Sequence, residues 1–450
     1  MHDQSTGSRT LSVRHVRVSF MHPRGLSAAC AALLVIASVT VSLGQRGVPF
    51  RGSRDHPAIA YSTGPAHNGI TELNQQLREG VVTLEATGSS GYLRSVLTAL
   101  DISLTSQVAV FSPTSFQARL INSKNPRVIY FNDSVSVAWV RGGDMLEVAA
   151  QDRQQGVLFY TLDQNDVNTP QFQRNDSCLA CHLSWDTLAV PGLQVLSTAP
   201  LSSDPLAYAS GYVSDHRSPL EHRWGGWYVT GQVGPVSHMG NVEVTNVDEP
   251  TSFASSDVPQ LDSLADRFDV TGYLSPYSDV VALMVLEHQT HMTNLITRLG
   301  WETRRIGFRE AANPSVFDQL MAEAAVELVD YLLFVDESLL ETPVVGSSGF
   351  TRQFADRSPR DRQGRSLRDF DLETRLFRYP CSYMIYTDAF EALPAMAKTA
   401  IYKRMWEVLS GRETAEAYKH LTQADRQAVV DILVDTLPGL PDYFQAAIVR

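Results

Sequence analysis

The feature that most restricts the fold of this chain is a change in residue periodicity between its first and second halves. Between residues 106 and 162, short runs rich in β-branched and aromatic residues alternate with turn residues such as Asn132-Asp133 and Gly142-Gly143. The runs are SQVAVFS, RVIYFN, SVSVAWV, MLEVAA and VLFYTL. Runs of this kind predict β-strands. Three later runs, LQVLST, AYASGYV and GGWYVTG, continue the strand pattern toward residue 250.

After Pro276 the apolar residues recur at helical spacing. The predicted long helices cover residues 280–299, 316–335, 396–409 and 424–437, and Thr422 is placed to cap the last of them. Shorter helices are predicted within 71–100. We therefore expect an α+β fold, with a β-rich N-terminal body at 45–275 followed by a helical C-terminal half at 276–450.

An apolar run at residues 28–43 has the pattern of a secretory signal peptide. Four arginines precede it, it contains no charge, and it ends near the small residues Ser42 and Gly44. We expect residues 1–44 to be a signal peptide and the mature protein to be periplasmic or otherwise exported. The alternative is that the segment is retained as a membrane anchor, and only in that case would we expect membrane contact. About 16 apolar residues are short for a full span. The start codon is open between Met1 and Met21.

The composition of the chain argues against several other classes of protein. A formal net charge of -12 argues against nucleic-acid binding, which requires clustered Lys and Arg. Hydrophobic residues at 44% and charged residues at 19% are typical of a globular protein. The chain has 4 Cys, too few to form a disulfide scaffold.

The strongest chemical signal is the segment Cys178-Leu-Ala-Cys181-His182. C-x-x-C-H is the attachment pattern of a c-type haem. Two thiols three positions apart reach the two vinyl groups of a porphyrin and form thioethers, and the following imidazole then lies under the iron as its proximal ligand. The motif therefore predicts one covalently attached haem c, with Cys178 and Cys181 as its anchors and His182 as the iron ligand.

Three other interpretations of the motif remain open at this point. A zinc site would need further Cys or His ligands at a matching spacing, and there is no second C-x-x-C. A disulfide or redox pair between Cys178 and Cys181 would make His182 incidental. The pattern would also arise by chance in a core loop.

The motif resembles that of c-type cytochromes. More broadly, the chain is similar to a group of exported bacterial monohaem proteins whose role is unassigned. The segments that carry this resemblance are FNDSVSVAWV, FYTLDQ, CLACH, DHRSPLEHRWGGWYVTG, HMGN, LEHQTHMTNLITR and YPCSYMIY. The resemblance implies one haem and export, but no particular reaction. Because the motif lies at mid-chain after predicted strands, the small all-helical cytochrome c fold is not implied.

The ligand on the other side of the iron decides the class of function, because one protein ligand leaves a site for small molecules whereas two are typical of electron carriers. His238 and Met239 lie in a Gly-containing turn, and His288 lies on the apolar stripe of the helix predicted at 280–299. These three are the candidate distal ligands. There are two alternatives. The histidine on the helix could be a core residue that binds no iron, and the iron could have no second protein ligand.

Other polar residues are candidates for the surroundings of the haem. In DHRSPLEHRWGGWYVTG, Trp224 is expected to pack on the haem face, and Arg217 or Arg223 to pair with a propionate; a strand edge with core aromatics is the alternative. The Arg-rich stretch 347–378 is expected to be a polar, solvated loop. A surface that docks an acidic redox partner, or arginines that reach the propionates, is the alternative.

Two functions of different class follow from these candidates. We expect an electron carrier that serves a periplasmic or membrane redox partner, with the protein setting the potential of the haem iron. The alternative is a haem enzyme of the oxidoreductase type, or a sensor, whose open iron site takes peroxide, nitrogen oxides or another small molecule. No catalytic residue is identifiable from the sequence.

Overall fold

A seven-stranded antiparallel sheet organises the first half of the protein. The computed structural model describes residues 54–165, 170–198, 211–243, 258–308 and 314–447. Its strands are β1 Val108–Val110, β2 Arg127–Phe131, β3 Val135–Trp139, β4 Met145–Asp152, β5 Gly156–Asp163, β6 Gln173–Arg174 and β9 Trp227–Tyr228. The sheet has the order β6-β5-β4-β3-β2-β1-β9: strands that are consecutive in the sequence pair from β1 to β6, and the later strand β9 pairs with the free edge of β1.

Two small antiparallel pairs and nine α-helices complete the described part of the chain. One pair joins β7 Val195–Ser197 to β8 Tyr212–Ser214, and the other joins β10 Gly231–Gln232 to β11 Val345–Gly346. The helices are α1 Gly69–Arg78, α2 Leu93–Ala99, α3 Leu179–His182, α4 Val280–Phe308, α5 Pro314–Leu332, α6 Phe350–Asp356, α7 Asp388–Glu391, α8 Ala395–Leu409 and α9 Gln423–Thr436. The structure is a mixed α+β fold, as predicted.

The two faces of the sheet belong to different cores because side chains alternate along a strand. Tyr130, Val137 and Val148 point to the face that packs with α1 and α2. Val108, Val110 and Phe131 join the larger core around α4 and α5. The described residues from 54 to 447 belong to one compact unit.

The central helix α4 is buried along most of its 29 residues and carries unusually many polar side chains inward. Glu287, His288, Gln289 and Asn294 are each at most 5% exposed. Its N-terminus is held by Asp279, whose Oδ1 accepts from Val281 N at 2.9 Å and from Ala282 N at 3.2 Å. Polar groups this deep require partners, and those partners define the sites below.

The Arg-rich stretch 347–378 is not the solvated loop that the sequence predicted. It contains the helix α6, and Leu367, Arg368 and Asp361 within it are buried. Arg365 pairs with Asp361 at 2.7 Å and with Asp431 at 3.0 Å, and other arginines pair with acidic residues from distant segments. The segment is ordered by ion pairs with the rest of the fold.

Within the described ranges, none of the helices combines the length and the apolar character needed to cross a lipid bilayer. The predicted signal peptide, its arginines and both start positions lie outside the described residues.

Candidate haem attachment site

The motif forms a continuous helical turn on the outside of the sheet. A 3-10 turn, Asp176–Cys178, runs directly into α3, and Asn175 opens it by accepting a hydrogen bond from Ser177 N at 3.2 Å. In a helical turn, positions i, i+3 and i+4 lie on one face. The fold therefore gives Cys178, Cys181 and His182 a common face, which is the arrangement that a porphyrin with two thioethers and a proximal imidazole requires.

His182 is held by a single glycine from the loop that follows. His182 Nδ1 donates to Gly192 O at 2.9 Å, and Gly192 N donates to His182 O at 3.0 Å. Since a carbonyl only accepts, the proton is on Nδ1 and the lone pair is on Nε2. No hydrogen bond to Nε2 is formed by the residues that the structure describes. Histidines that bind metals are usually oriented in this way.

The electrostatic environment of the turn favours a neutral imidazole and a protonated thiol. Burial lowers the pKa of His182 below its ordinary value, and the hydrogen bond to Gly192 opposes this in part. Burial, reinforced by the charge of Glu147, raises the pKa of Cys178 to about 11. A redox-active C-x-x-C pair needs a thiolate with a lowered pKa, so the shift at Cys178 disfavours that interpretation.

The motif also lacks the geometry of a zinc site. Among the described residues, no three His, Cys, Asp or Glu side chains are arranged to hold a metal ion. The thiols of Cys178 and Cys181 are both unpaired, the first half-buried and the second exposed. A haem needs only the imidazole at its iron, with the thiols at the porphyrin edge, so the residues present fit a covalent haem better than a zinc ion.

His182 lies against one face of the large sheet. Its ring centroid is 4.8 Å from that of Phe159 on β5. The strand register places Phe131, Ser136, Ala149 and Phe159 in one row across β2 to β5. The next row on the same face contains Ile129, Ala138 and Glu147. The side chains in the middle of both rows are small, so few atoms project from this part of the sheet beside the imidazole.

The candidate distal ligand His288 lies elsewhere, in a buried histidine pair. His288 is fully buried, its Nδ1 is 2.8 Å from His216 Nδ1, and its Nε2 is 2.7 Å from Ser382 Oγ. Tyr331 and Phe334 stack on its ring at centroid distances of 5.2 and 4.7 Å. Both ring nitrogens are therefore engaged, and neither is free to bind iron in this arrangement.

The candidates His238 and Met239 are also engaged in other contacts. His238 Nδ1 accepts from Gly240 N at 3.0 Å, and its ring meets Trp224 edge-on at 5.1 Å. Met239 Sδ accepts a contact from Ser197 Oγ at 3.7 Å. In the described part of the chain, neither side chain forms a hydrogen bond or ring contact with His182.

The predicted haem-pocket arginines organise the histidine pair. Arg223 Nη2 donates to His216 O at 2.9 Å, and Arg223 forms a buried ion pair with Glu287 at 3.2 Å. Arg217 pairs with Asp215 at 2.6 Å and donates to His291 Nε2 at 3.2 Å. Trp224 is fully buried in the larger core. The structure thus gathers Arg217, Arg223 and His288 in one place, but in a cluster separate from the contacts of His182.

The series Ser382–His288–His216 has the connectivity of a nucleophile, a base and an orienting group. All three side chains are at most 2% exposed. Among the cavities of the described residues, one of about 190 Å³ lies beside His67 and Thr293, and another of about 270 Å³ lies beside Arg217 and Glu327. Neither cavity is lined by a member of this series or by the haem motif. Within the described residues, the series is a buried polar cluster.

Several residues that shape the site were not identified as site candidates from the sequence. Gly192, Phe159 and Asn294 come from a loop, a strand and a helix, and Asn294 contacts Leu193 across 101 positions. His216 has no special spacing, although it pairs with His288. Cys381 is buried in the larger core.

No protein-family model matches this sequence, and no curated protein or solved structure is significantly similar to it.

Proposed function

We propose that this protein is an exported c-type haem protein that binds one haem covalently through Cys178 and Cys181, with His182 as the proximal iron ligand. The observation that carries the proposal is the hydrogen bond that His182 makes to Gly192 O, 2.9 Å from Nδ1. Its Nδ1 proton is committed to Gly192 O, which leaves the Nε2 lone pair for a metal. The shared face of the two thiols and the imidazole supports the same assignment.

The primary role proposed is electron transfer to a periplasmic or membrane redox partner. A haem supplies a one-electron ferric/ferrous couple, and the protein sets its potential through the axial ligands and through burial. In this proposal the β-rich N-terminal body carries the haem motif and the helical C-terminal half supports it. The polar interior of α4 holds the loop that orients His182.

A second function, a haem enzyme or sensor with an open iron site, is favoured by a specific observation. The ring nitrogens of His288 are both hydrogen-bonded, and His238 Nδ1 accepts from a backbone N–H. An iron bound by His182 alone would be open to peroxide, nitrogen oxides or another small molecule.

The test of haem attachment is retention of haem through denaturation. The full chain is produced in a host with the machinery for covalent haem attachment, and haem is detected on a denaturing gel and by mass. We expect the wild-type protein and Cys381→Ser to retain haem, Cys178→Ser and Cys181→Ser to retain less, and the double variant to retain none. A wild-type protein without covalent haem would contradict the proposal.

Optical spectra with and without carbon monoxide separate the two functions. Low-spin bands that carbon monoxide leaves unchanged would support a carrier with two protein ligands. A high-spin ferric spectrum with ready carbon monoxide binding would support the open site. His182→Gln is expected to keep the thioethers but to change the spectrum in either case.

A further inference from the structure

One peptide group connects His182 to the central helix α4. Its carbonyl, from Gly192, accepts from His182 Nδ1 at 2.9 Å, and its N–H, from Leu193, donates to Asn294 Oδ1 at 3.0 Å. Asn294 Nδ2 also donates to Leu193 O at 2.7 Å. The imidazole, the peptide and the asparagine therefore form one hydrogen-bonded series.

Asn294 fixes both the position and the orientation of this peptide. Its side chain is only 1% exposed, in the middle of α4, and its oxygen and nitrogen are both used on Leu193. A Cβ at position 192 would overlap Asn294 Oδ1, so only glycine allows this close approach. The Gly192–Leu193 peptide cannot rotate its carbonyl away from His182 without breaking the bond from Leu193 N to Asn294 Oδ1.

We propose that Asn294 is the positioning residue for the iron-binding imidazole of His182, an inference that rests on the proposed haem site. Asn294 does not touch His182 but acts through the shared peptide. Hydrogen bonds in series polarise one another, so Asn294 Oδ1 at the N–H end makes the Gly192 carbonyl a better acceptor. A better acceptor at Nδ1 holds the tautomer and raises the basicity of Nε2. A more basic ligand stabilises ferric over ferrous iron and lowers the reduction potential.

The chain offers a matched control for this proposal. Asn74 on α1 holds Phe172 as Asn294 holds Leu193, donating to Phe172 O at 2.8 Å and accepting from Phe172 N at 2.9 Å. In the described residues no hydrogen bond leads from that peptide to His182. Asn294→Leu and Asn74→Leu therefore each introduce a side chain of similar size and each remove two equivalent hydrogen bonds. The bonds of Asn294 belong to the series that leads to His182, and those of Asn74 do not.

The first readout needs no haem. In full-length protein carrying Cys178→Ala and Cys181→Ala, labelled with ¹⁵N-histidine, the His182 resonances are assigned by their loss in His182→Gln. We expect a single tautomer with the proton on Nδ1, retained in Asn74→Leu and replaced by a mixture in Asn294→Leu. Asn294→Asp keeps an acceptor for Leu193 N–H and is expected to retain the tautomer. An unchanged tautomer in Asn294→Leu, or the same change in Asn74→Leu, would overturn the proposal.

The second readout is the reduction potential of the haem-loaded protein. Asn294→Leu is expected to shift it upward, and Asn74→Leu to leave it at the wild-type value. Equal potentials in all three proteins would overturn the role of Asn294. If the wild-type protein acquired no haem, the proposed function would fail, while the tautomer comparison would still decide whether Asn294 orients His182.

Discussion

Arg223 and Glu287 form an ion pair 3.2 Å long in which the two side chains are 2% and 0% exposed. Ser214 Oγ also donates to Glu287 Oε1 at 2.7 Å, and Arg223 Nε donates to Ser218 O at 2.7 Å. The pair thus ties α4 to the loop that carries His216. Every charged group in it has a partner, which is the condition under which a buried ion pair is tolerated.

Removal of one partner of this pair is expected to be strongly destabilising. Arg223→Met leaves the Glu287 carboxylate buried without its cation, and we expect a loss of about 3–5 kcal/mol in the free energy of unfolding. Urea denaturation of the variant and the wild type measures the loss. Arg223→Met combined with Glu287→Leu should recover part of it, because no unpaired charge remains. Equal stability of the single and double variants would contradict the assignment.

Asp279 is expected to be the most costly helix cap of the fold to remove. Its Oδ2 accepts from Ser347 N and Ser348 N, each at 2.7 Å, while its Oδ1 caps α4. Asp279→Ala leaves several buried N–H groups unpaired, so we expect a loss of about 2–4 kcal/mol. Thr422→Ala at the partly exposed cap of α9 is the comparison, with an expected loss of about 1 kcal/mol. Thermal and urea unfolding measure both, and similar losses would show that Asp279 acts only as a cap.

Acidification is expected to destabilise the protein through its buried histidines. Burial lowers the pKa of His238 to about 4, below the ordinary value of about 6.5 that the unfolded chain retains. Its contribution is complete above pH 6.5 and is lost as the pH falls toward 4, because the unfolded state then binds a proton that the folded state excludes. The loss approaches about 1.4 kcal/mol per pH unit.

Unfolding free energies at pH 7, 6 and 5 test this expectation. His238→Gln should flatten the pH dependence by about one proton between pH 6 and 5. His222→Gln is the comparison at an exposed histidine, since the side chain of His222 is 56% exposed. A wild-type slope in His238→Gln would show that His238 titrates normally in the folded protein.

The ion pair of Arg365 in the Arg-rich segment is expected to be stronger than an exposed ion pair elsewhere in the fold, because it is more buried. The side chain of Arg365 is 19% exposed and bridges Asp361 and Asp431, whereas Arg153 and Asp388 are 57% and 65% exposed. We expect Arg365→Met to lower the unfolding free energy by about 1–3 kcal/mol and Arg153→Met to change it by less than about 0.5 kcal/mol. Denaturation in low and high salt measures both, and equal effects would mean that the Arg365 bridge is screened like a surface pair.

Local patterns predicted the regular elements of the fold well. The strands β2 to β5 and the helices α4, α8 and α9 lie where the periodicity placed them, because burial on one face imposes period 2 or 3.6 on the residues themselves. Thr422 caps α9 through a capping box with Asp425, as its position predicted. The coarse fold class follows from the same patterns.

Local sequence patterns could not predict the contacts between distant segments. The stretch 347–378 was predicted to be a solvated loop because a local pattern does not show the partners of its arginines. Two of those partners, Asp425 and Asp431, lie far along the chain. The spacing of Phe350 and Phe354, both buried in the larger core, was the one local sign of α6. His288 was recognised as interior, but its pairing with His216 depends on the loop that Arg223 fixes.

Two contacts hold His182, one with Phe159 and one with Gly192, and we expect them to form at different stages of folding. Phe159 belongs to an antiparallel meander in which short loops join the strands from β2 to β5. The bond from Leu193 to Asn294 spans 101 positions and must wait for a helix that is synthesised later. Short loops close at lower entropic cost and earlier than long ones. We therefore expect the sheet beneath the imidazole to form first, and the orientation of the ring to be set when α4 docks.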